Sequence, residues 1–326
     1  MNKLMSRLAS ATAFWATLVS TGAALAQAPD YPNRPITFLV PFAAGSATDQ
    51  IARAIAHSVT TQTRQPVIVD NRGGASGLIA AQEAARAAGD GYTVLITTNT
   101  TQTANPHLFK KLPYDPEKDF RPVTGLGRGG QVLVVRADAP YRTVADLVAR
   151  ARAEPGRLSF GAGNSSSRVA GKLFKQLSRT DILYVPYKSN PNAITDLLGG
   201  QIDSMVVDTI TGLPHIESGK LRALGVSTTR RLARLAGTPT IDEAGVKGYD
   251  IGYWFAAYLP AAASPAVVEK LRALLIDATR SPQAKSFFDA TGTEAWTTTP
   301  QELAQFQAQD SRKWGGVIRA AGIQPE

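Results

Sequence analysis

The chain has 326 residues, 44% hydrophobic and 19% charged, which allows two domains of ~150 residues and burial of roughly 75% of the unfolded surface. It contains no cysteine, which excludes disulfides, thiol catalysis, thiolate zinc sites and iron–sulfur clusters. Its net charge of +9 is spread rather than clustered with aromatics, so nucleic acid is not an expected partner. A positive field that draws small anions and a surface that merely keeps the protein soluble are equally good readings of that charge.

In chain order, residues 1–26 read as a secretory leader. Lys3 and Arg7 precede the apolar ATAFWATLVSTGAAL, and Ala24-Leu25-Ala26 closes it with A-x-A spacing. The apolar stretch falls short of the ~20 strongly apolar residues of a membrane span. A mature protein free in a bacterial periplasm is therefore expected.

After Pro29, Pro32 and Pro35, ITFLVPF (36–42) reads as a buried strand and Thr48 to Thr63 as a helix with Ile51, Ile55 and Val59 on one stripe. PVIVD (66–70), a helix from Leu78 to Ala88 and YTVLITT (92–98) complete a first series. A proline-rich stretch through Pro106, Pro113, Pro116 and Pro122 reads as irregular. QVLVVRAD (131–138) starts a second series, whose first helix opens on a Thr143/Asp146 capping box. RLSF, a helix over 166–178, DILYVPY, a helix near 192–198 and IDSMVVD follow. LRALGVST and the aromatic run YDIGYWFAAYLP come next. Ser264-Pro265 opens a long amphipathic helix carrying Val268, Leu271 and Leu275, and Thr299-Pro300-Gln301-Glu302 opens another. Such alternation predicts an α/β fold with parallel strands and helical crossovers. The two series predict two lobes, residues 27–129 plus 250–326 and residues 130–249, with the helical tail packed back on the first.

Two loops carry the candidate chemistry. PFAAGSATD (41–49) follows the first strand, with small residues at Ala44 and Gly45 and a Ser46/Asp49 capping pair. FGAGNSSSR (160–168) has the same build in the second lobe: strand, glycines, then hydroxyls leading into a helix. Ligands of open α/β sheets bind beyond strand carboxyl ends, where helix N-termini offer free N–H groups to anions. Either loop alone is as well explained as a tight, capped connection; one in each lobe favours an anion-binding cleft. Hydroxyl donors are available at Thr48, Thr98, Thr100, Thr101, Ser165, Ser166 and Ser167. Phe42 and Trp254 are candidate walls, with a core role equally open to each. Asp208, ending IDSMVVD, reads either as a ligand-facing carboxylate or as a helix cap.

Other patterns fail. Gly125, Gly127 and Gly130 match G-x-G-x-x-G but precede a strand, so the dinucleotide reading is rejected. Gly161, Gly163 and Ser166 come closer, yet Asp181 precedes the next strand instead of ending it. His57 lies mid-helix, and His107 and His215 sit beside prolines; they are too few and scattered for a metal centre, and no nucleophile–histidine pairing is visible. No cofactor or metal is called for.

Taken in order, YPNRPITFLVPFAAGSATD, PVIVDNRGGASG, DGYTVL, LPYDPEKDF, VPYK followed by DLLGGQID, GKLRALGV and KWGGVIRAAGI resemble the Bug-type periplasmic solute receptors of tripartite tricarboxylate transporters. The resemblance spans about Tyr31 to Pro325. It implies a two-lobed periplasmic-binding-protein fold of type II-like form, each lobe a mixed or mostly parallel sheet flanked by helices, with the ligand cleft between. It also implies a non-enzymatic receptor, expected as a monomer, that closes on a small mono-, di- or tricarboxylate and delivers it to a membrane permease. The carboxylate-gripping role falls on Ala44, Gly45, Ser46, Thr48 and Asp49 on one side and Gly163, Asn164, Ser165 and Ser166 on the other. The chain departs from the pattern at Ser46 and Ser189, where glycines are usual, and at Arg168, where histidine is frequent. Arg168 reads as a contact to a second carboxylate or, as is commoner for a first-turn arginine, as a solvent-facing side chain. A secreted hydrolase or lyase on the same scaffold, and a ligand sensor for a signalling partner, are the alternatives.

Overall fold

The computed structural model describes residues 31–326, so the expected leader lies outside the described residues. The first series forms β1 (Ile36–Val40), α1 (Ala47–Thr63), β2 (Val67–Asn71), α2 (Leu78–Ala85) and β3 (Thr93–Thr98). β1 pairs in parallel with β2 and β3. α1 lays Ile51, Ile55 and Val59 into the core, as its stripe predicts. The stretch read as irregular opens instead with a fully buried π-helical turn, Thr100–Ala104, that runs into α3 (Asn105–Leu108). TTQTA has no apolar period, so nothing in its pattern announces a helix.

The strand expected at 131–138 is far longer. β4 (Phe120–Arg136) runs through both halves of the sheet. Pro122 and the glycines at 125, 127, 129 and 130 disguise it, and its register slips between Pro122 and Thr124 and again between Gly125 and Gly127. The glycines answer close packing: a Cβ on Gly125 would lie 2.6 Å from the Trp296 ring.

The second half comprises α4 (Val144–Ala153), β5 (Ser159–Ala162), α5 (Ser165–Ser178), β6 (Leu183–Pro186), α6 (Asn190–Leu198), β7 (Ser204–Asp208), α7 (Thr209–Glu217) and β8 (Leu221–Val226). The Thr143/Asp146 capping box of α4 is present, with both reciprocal hydrogen bonds. β5 pairs in parallel with β6 and β7, whereas β7 and β8 flank the end of β4 antiparallel to it. Val132 and Val134 face a layer with Ile194, Leu197 and Met205, while Leu133 and Val135 face one with Phe160 and Phe174. Both faces of this strand are covered, which is why it reads as an unbroken apolar run.

β9 (Gly252–Pro260) then inserts antiparallel between β3 and β4 and completes the first half. The chain therefore passes between the halves inside β4, near Gly130 and Gln131, and again at Ile251 and Gly252. The sheet is mixed: the parallel strands expected from the alternation lie on its flanks, and antiparallel β4 and β9 form its middle.

The long amphipathic helix expected after Ser264 is α8 (Pro265–Arg280), which buries Val268, Leu271 and Leu275, and a second helix, α9 (Pro282–Thr291), follows it directly. Ser281 is extended because Pro282 disfavours helical backbone before it, and its hydroxyl caps the second helix. A short strand, β10 (Glu294–Ala295), pairs with β4. α10 (Pro300–Ala320) carries the predicted capping box of Thr299 and Glu302. Its Leu303 packs with Trp254 and Tyr258 in the first half, but Trp314 and Ile318 join Phe174 and Val169 in the core of the second. The tail thus spans both halves, where packing on the first alone was expected. No helix among the described residues is long and apolar enough to cross a membrane.

Candidate functional site

The turns at the carboxyl ends of β1, β3, β5, β6 and β7 meet around one narrow cavity between the two halves. Phe42, Ser46, Ala47 and Thr48 reach it from the turn into α1, and Thr98, Asn99 and Thr100 from the end of β3. Tyr253 and Phe255 come from β9, and Gln131 from β4. Gly163, Asn164 and Ser166 at the start of α5, Ser189 and Asn190 at α6, and Asp208 at α7 close the other side. The enclosed volume is about 20 Å³, the room of roughly one water molecule.

Four helices present their N-termini here, three capped by the side chains of Ser46, Asn164 and Asp208, the fourth with Ser189 at its N-cap position and no side-chain cap. Asp208 places a carboxylate on the N-terminus of α7. It accepts from the Thr211 amide and hydroxyl, each at 2.8 Å, and from Asn190 Nδ2 at 3.1 Å. Burial nevertheless raises its pKa, since desolvation outweighs those donors. Asp208 caps α7, as one of its two sequence readings expects, and it also lines the cavity. The ends of α5 and α6 carry no acidic residue in their first turns and leave positive potential facing inward, whereas α1 has Asp49 in its first turn.

The polar groups between the helix ends are only partly satisfied. Ser166 Oγ accepts from Asn99 Nδ2 at 3.3 Å and from Gln131 Nε2 at 3.2 Å, so its own proton is left to donate. Thr100 Oγ1 and Gln131 Oε1 are buried without a partner. Buried polar atoms are normally paired, and these two line the same cavity from opposite halves. Gly163 is fixed by close approach: a Cβ there would lie 1.9 Å from the carbonyl carbon of Ser189.

The remaining predicted residues lie outside the cavity lining. Ala44 and Gly45 are exposed at the loop tip, where Gly45 takes a φ of 80° that suits glycine. Asp49 turns back into its own loop, accepting the Gly45 amide at 2.9 Å and pairing with Arg53 at 3.0 Å. Thr101 bonds Thr97 at 2.6 Å, Ser165 donates to Asn105 across the halves at 2.8 Å, and Ser167 accepts from Asn190 at 3.1 Å. Trp254 stands on the opposite face of β9, with Nε1 donating to Asp310 at 2.7 Å and its ring against Trp296 and Phe306. It is core rather than wall; strand alternation puts its neighbours Tyr253 and Phe255 at the cavity.

Sequence reasoning missed Ala47, Asn99, Gln131, Ser189, Asn190, Tyr253 and Phe255. The parity of the aromatic run, and the rule that ligands sit beyond strand carboxyl ends applied to β6, would have found Tyr253, Phe255, Ser189 and Asn190. Gln131, the one polar residue opening an apolar strand run, carried a weaker signal. Among the described histidines none reaches the cavity: His107 sits against Gly315 with its ring 3.0 Å from Ser311 Oγ, and burial lowers its pKa.

Arg168 lies one helical turn beyond Asn164. It lines a larger chamber of about 420 Å³ that shares Gly163 and Asn164 with the inner cavity. Its Nη1 pairs with Glu326 at 2.5 Å, its guanidinium stands over the Tyr184 ring, and its Nε is buried without a partner.

The geometry matches known proteins over nearly its whole extent. Protein BugT of Bordetella pertussis is 33% identical over 303 residues, covering 92% of this chain and 93% of that protein. The structure of Rpa4515 from R. palustris with adipate superposes with a TM-score of 0.88 at 33% identity, covering 91% of this chain and 100% of that one. MatC from Rhodopseudomonas palustris with bound malate gives a TM-score of 0.84 at 28% identity, covering 88% and 100%. The family model of the tripartite tricarboxylate transporter family receptor matches residues 51–323. The chain is accordingly a member of this family of periplasmic solute-binding receptors, with their two-lobed α/β fold.

Proposed function

We propose that the protein captures a small organic carboxylate in the cavity between its halves, holds it by closure, and passes it unchanged to a membrane permease. One observation carries this reading. The N-termini of α5 and α6, with no acidic residue in their first turns, converge with the buried, partnerless Thr100 hydroxyl, a donor that an anion's oxygen completes, while Gln131 Oε1, an acceptor, is left for a ligand hydroxyl or a water. At no more than ~2 kcal/mol each, the two ends fall short of the ~8 kcal/mol of a micromolar ligand. Hydrogen bonds from Thr48, Thr100, Ser166 and Gln131 Nε2, and water exclusion by Phe42 and Phe255, supply the rest.

A cavity of about 20 Å³ does not hold a diacid. The halves, here proposed as lobes that part near Gly130–Gln131 and Ile251–Gly252, must therefore open to admit one. A ligand that touches both sides then favours the closed form by its differential contacts. The absence of a base beside Ser166, whose described hydrogen-bond partners are two amides, supports binding without chemistry. Cleavage of the leader after Ala26 and action as a periplasmic monomer complete the proposal.

The adipate and malate named with two related structures supply the first probes. Calorimetry with both is expected to show saturable binding to purified protein, and mass spectrometry to recover the acid intact. Absence of binding across a panel of mono-, di- and tricarboxylates contradicts capture, and a new product contradicts delivery unchanged.

A further inference from the structure

The outer chamber is a second place where this chain binds a carboxylate, and the carboxylate it now holds is its own. Glu326 is anchored to the first half through its backbone: its amide donates to the Leu108 carbonyl and its carbonyl accepts from the Lys110 amide, each at 2.9 Å. Its side chain crosses to Arg168 on α5 of the second half. The Arg168 side chain is only 17% exposed, against 57% for Glu326, so the arginine is the built part and the glutamate the removable one. Lys188 lines the same chamber, and Lys172 reaches toward the Tyr184 ring that also carries Arg168.

The opposite wall is strained. Ala75 and Ser76 hold φ of 45° and 53°, conformations that cost non-glycine residues energy and that cluster where a loop has work to do. Asn105 joins this wall to the start of α5, since Nδ2 donates to the Ser76 carbonyl and Oδ1 accepts from Ser165. Arg168 stands four residues after Asn164 on one helix, so the two lie ~5–6 Å apart at Cβ, a separation of the order of that between the ends of a short diacid.

We propose that Arg168 is the outer half of a two-point site for aliphatic dicarboxylates, and that Glu326 occupies it until the second carboxylate of a bound diacid displaces it. This rests on the receptor reading above and deepens it. The exchange is charge-neutral: one carboxylate leaves the guanidinium as another arrives, and Glu326, already half in solvent, moves fully into it. A monocarboxylate, admitted by the same opening of the halves, places its one carboxylate among the inner helix ends and leaves the Glu326 contact in place.

The test titrates matched straight-chain acids, hexanoate and adipate among them, into wild-type protein, Glu326→Gln, Arg168→Gln and Arg168→Lys, with circular dichroism confirming that each variant is folded. Removing the competing carboxylate in Glu326→Gln is expected to tighten adipate roughly threefold to fivefold, the scale of a half-exposed ion pair, and to leave hexanoate unchanged. Arg168→Gln is expected to reduce adipate to the affinity of hexanoate, and Arg168→Lys to recover part of the difference. Equal changes for both acids, or none in Glu326→Gln, overturn the outer site while hexanoate binding keeps the receptor reading intact. Wild-type protein that takes up no acid of the series overturns both.

Discussion

Asp49 shows how a residue can serve a binding loop without facing the ligand. Its carboxylate ties Gly45 to α1 and engages Arg53, so Asp49→Ala is expected to cost about 1–2 kcal/mol in urea unfolding and to weaken adipate by loosening the loop. Asp49→Asn, which keeps an acceptor for the Gly45 amide, is expected to lose less of both. Gly163 permits no such grading. A methyl group 1.9 Å from the Ser189 backbone must push β5 from α6, so Gly163→Ala is expected to lose more than ~3 kcal/mol and all measurable binding. Asp208 gives the protein a pH signature. Its folded pKa lies above the unfolded value, so the native state binds the extra proton, and stability falls as pH rises from the ordinary carboxylate range through the raised value. The urea midpoint of wild type, compared with Asp208→Asn across that window, is expected to decline with pH relative to the variant. A flat difference assigns Asp208 no such role.

At the scale of elements, the legible parts were those whose period and caps agree. α1, α4 and α10 carry their stripe or capping box in plain sequence, and the loops after β1 and β5 were found from glycines and hydroxyls followed by a helix. β4 was hidden because Gly125 and Gly129 answer to Trp296 and Tyr253, partners more than a hundred residues away. The Thr100–Ala104 turn was hidden because it has no repeating apolar face: Thr101 bonds to Thr97 on β3 and Thr103 to Asp310 on α10. The site was legible to the same degree: hydroxyls beside a helix start were visible, whereas which of them face the cavity depends on how α5 is rotated. Ser166 faces inward, while Ser165 and Ser167 turn to Asn105 and Asn190. α10 provides a test at this scale. Thr299→Ala removes its cap and is expected to cost ~1 kcal/mol, whereas Trp314→Ala, in the core of the second half, is expected to cost ~3–5 kcal/mol. Denaturant titrations of the two variants check the ranking, and a Trp314→Ala loss no larger than that of the cap contradicts the assigned packing.

For the molecule as a whole, β4, the 251–252 crossing and α10 are continuous links between the halves, and Asn99–Ser166, Ser165–Asn105, Thr209–Tyr253 and Glu326–Arg168 are among the breakable ones. Opening must sever the second set while bending the first. Ser165→Ala removes one buried bond of that set, and it is expected to favour the open form by ~1 kcal/mol, seen as a larger radius of gyration without ligand and a weaker adipate affinity. The insertion of β9 between β3 and β4 has a consequence for how the protein is made. Residues 36–136 supply two strand edges that stay bare until the polypeptide reaches residue 260, so the first half cannot close while it is being synthesised. A fragment that stops at residue 250 should expose those edges and aggregate. The late arrival of the central strand makes completion of the first half wait on most of the chain's synthesis.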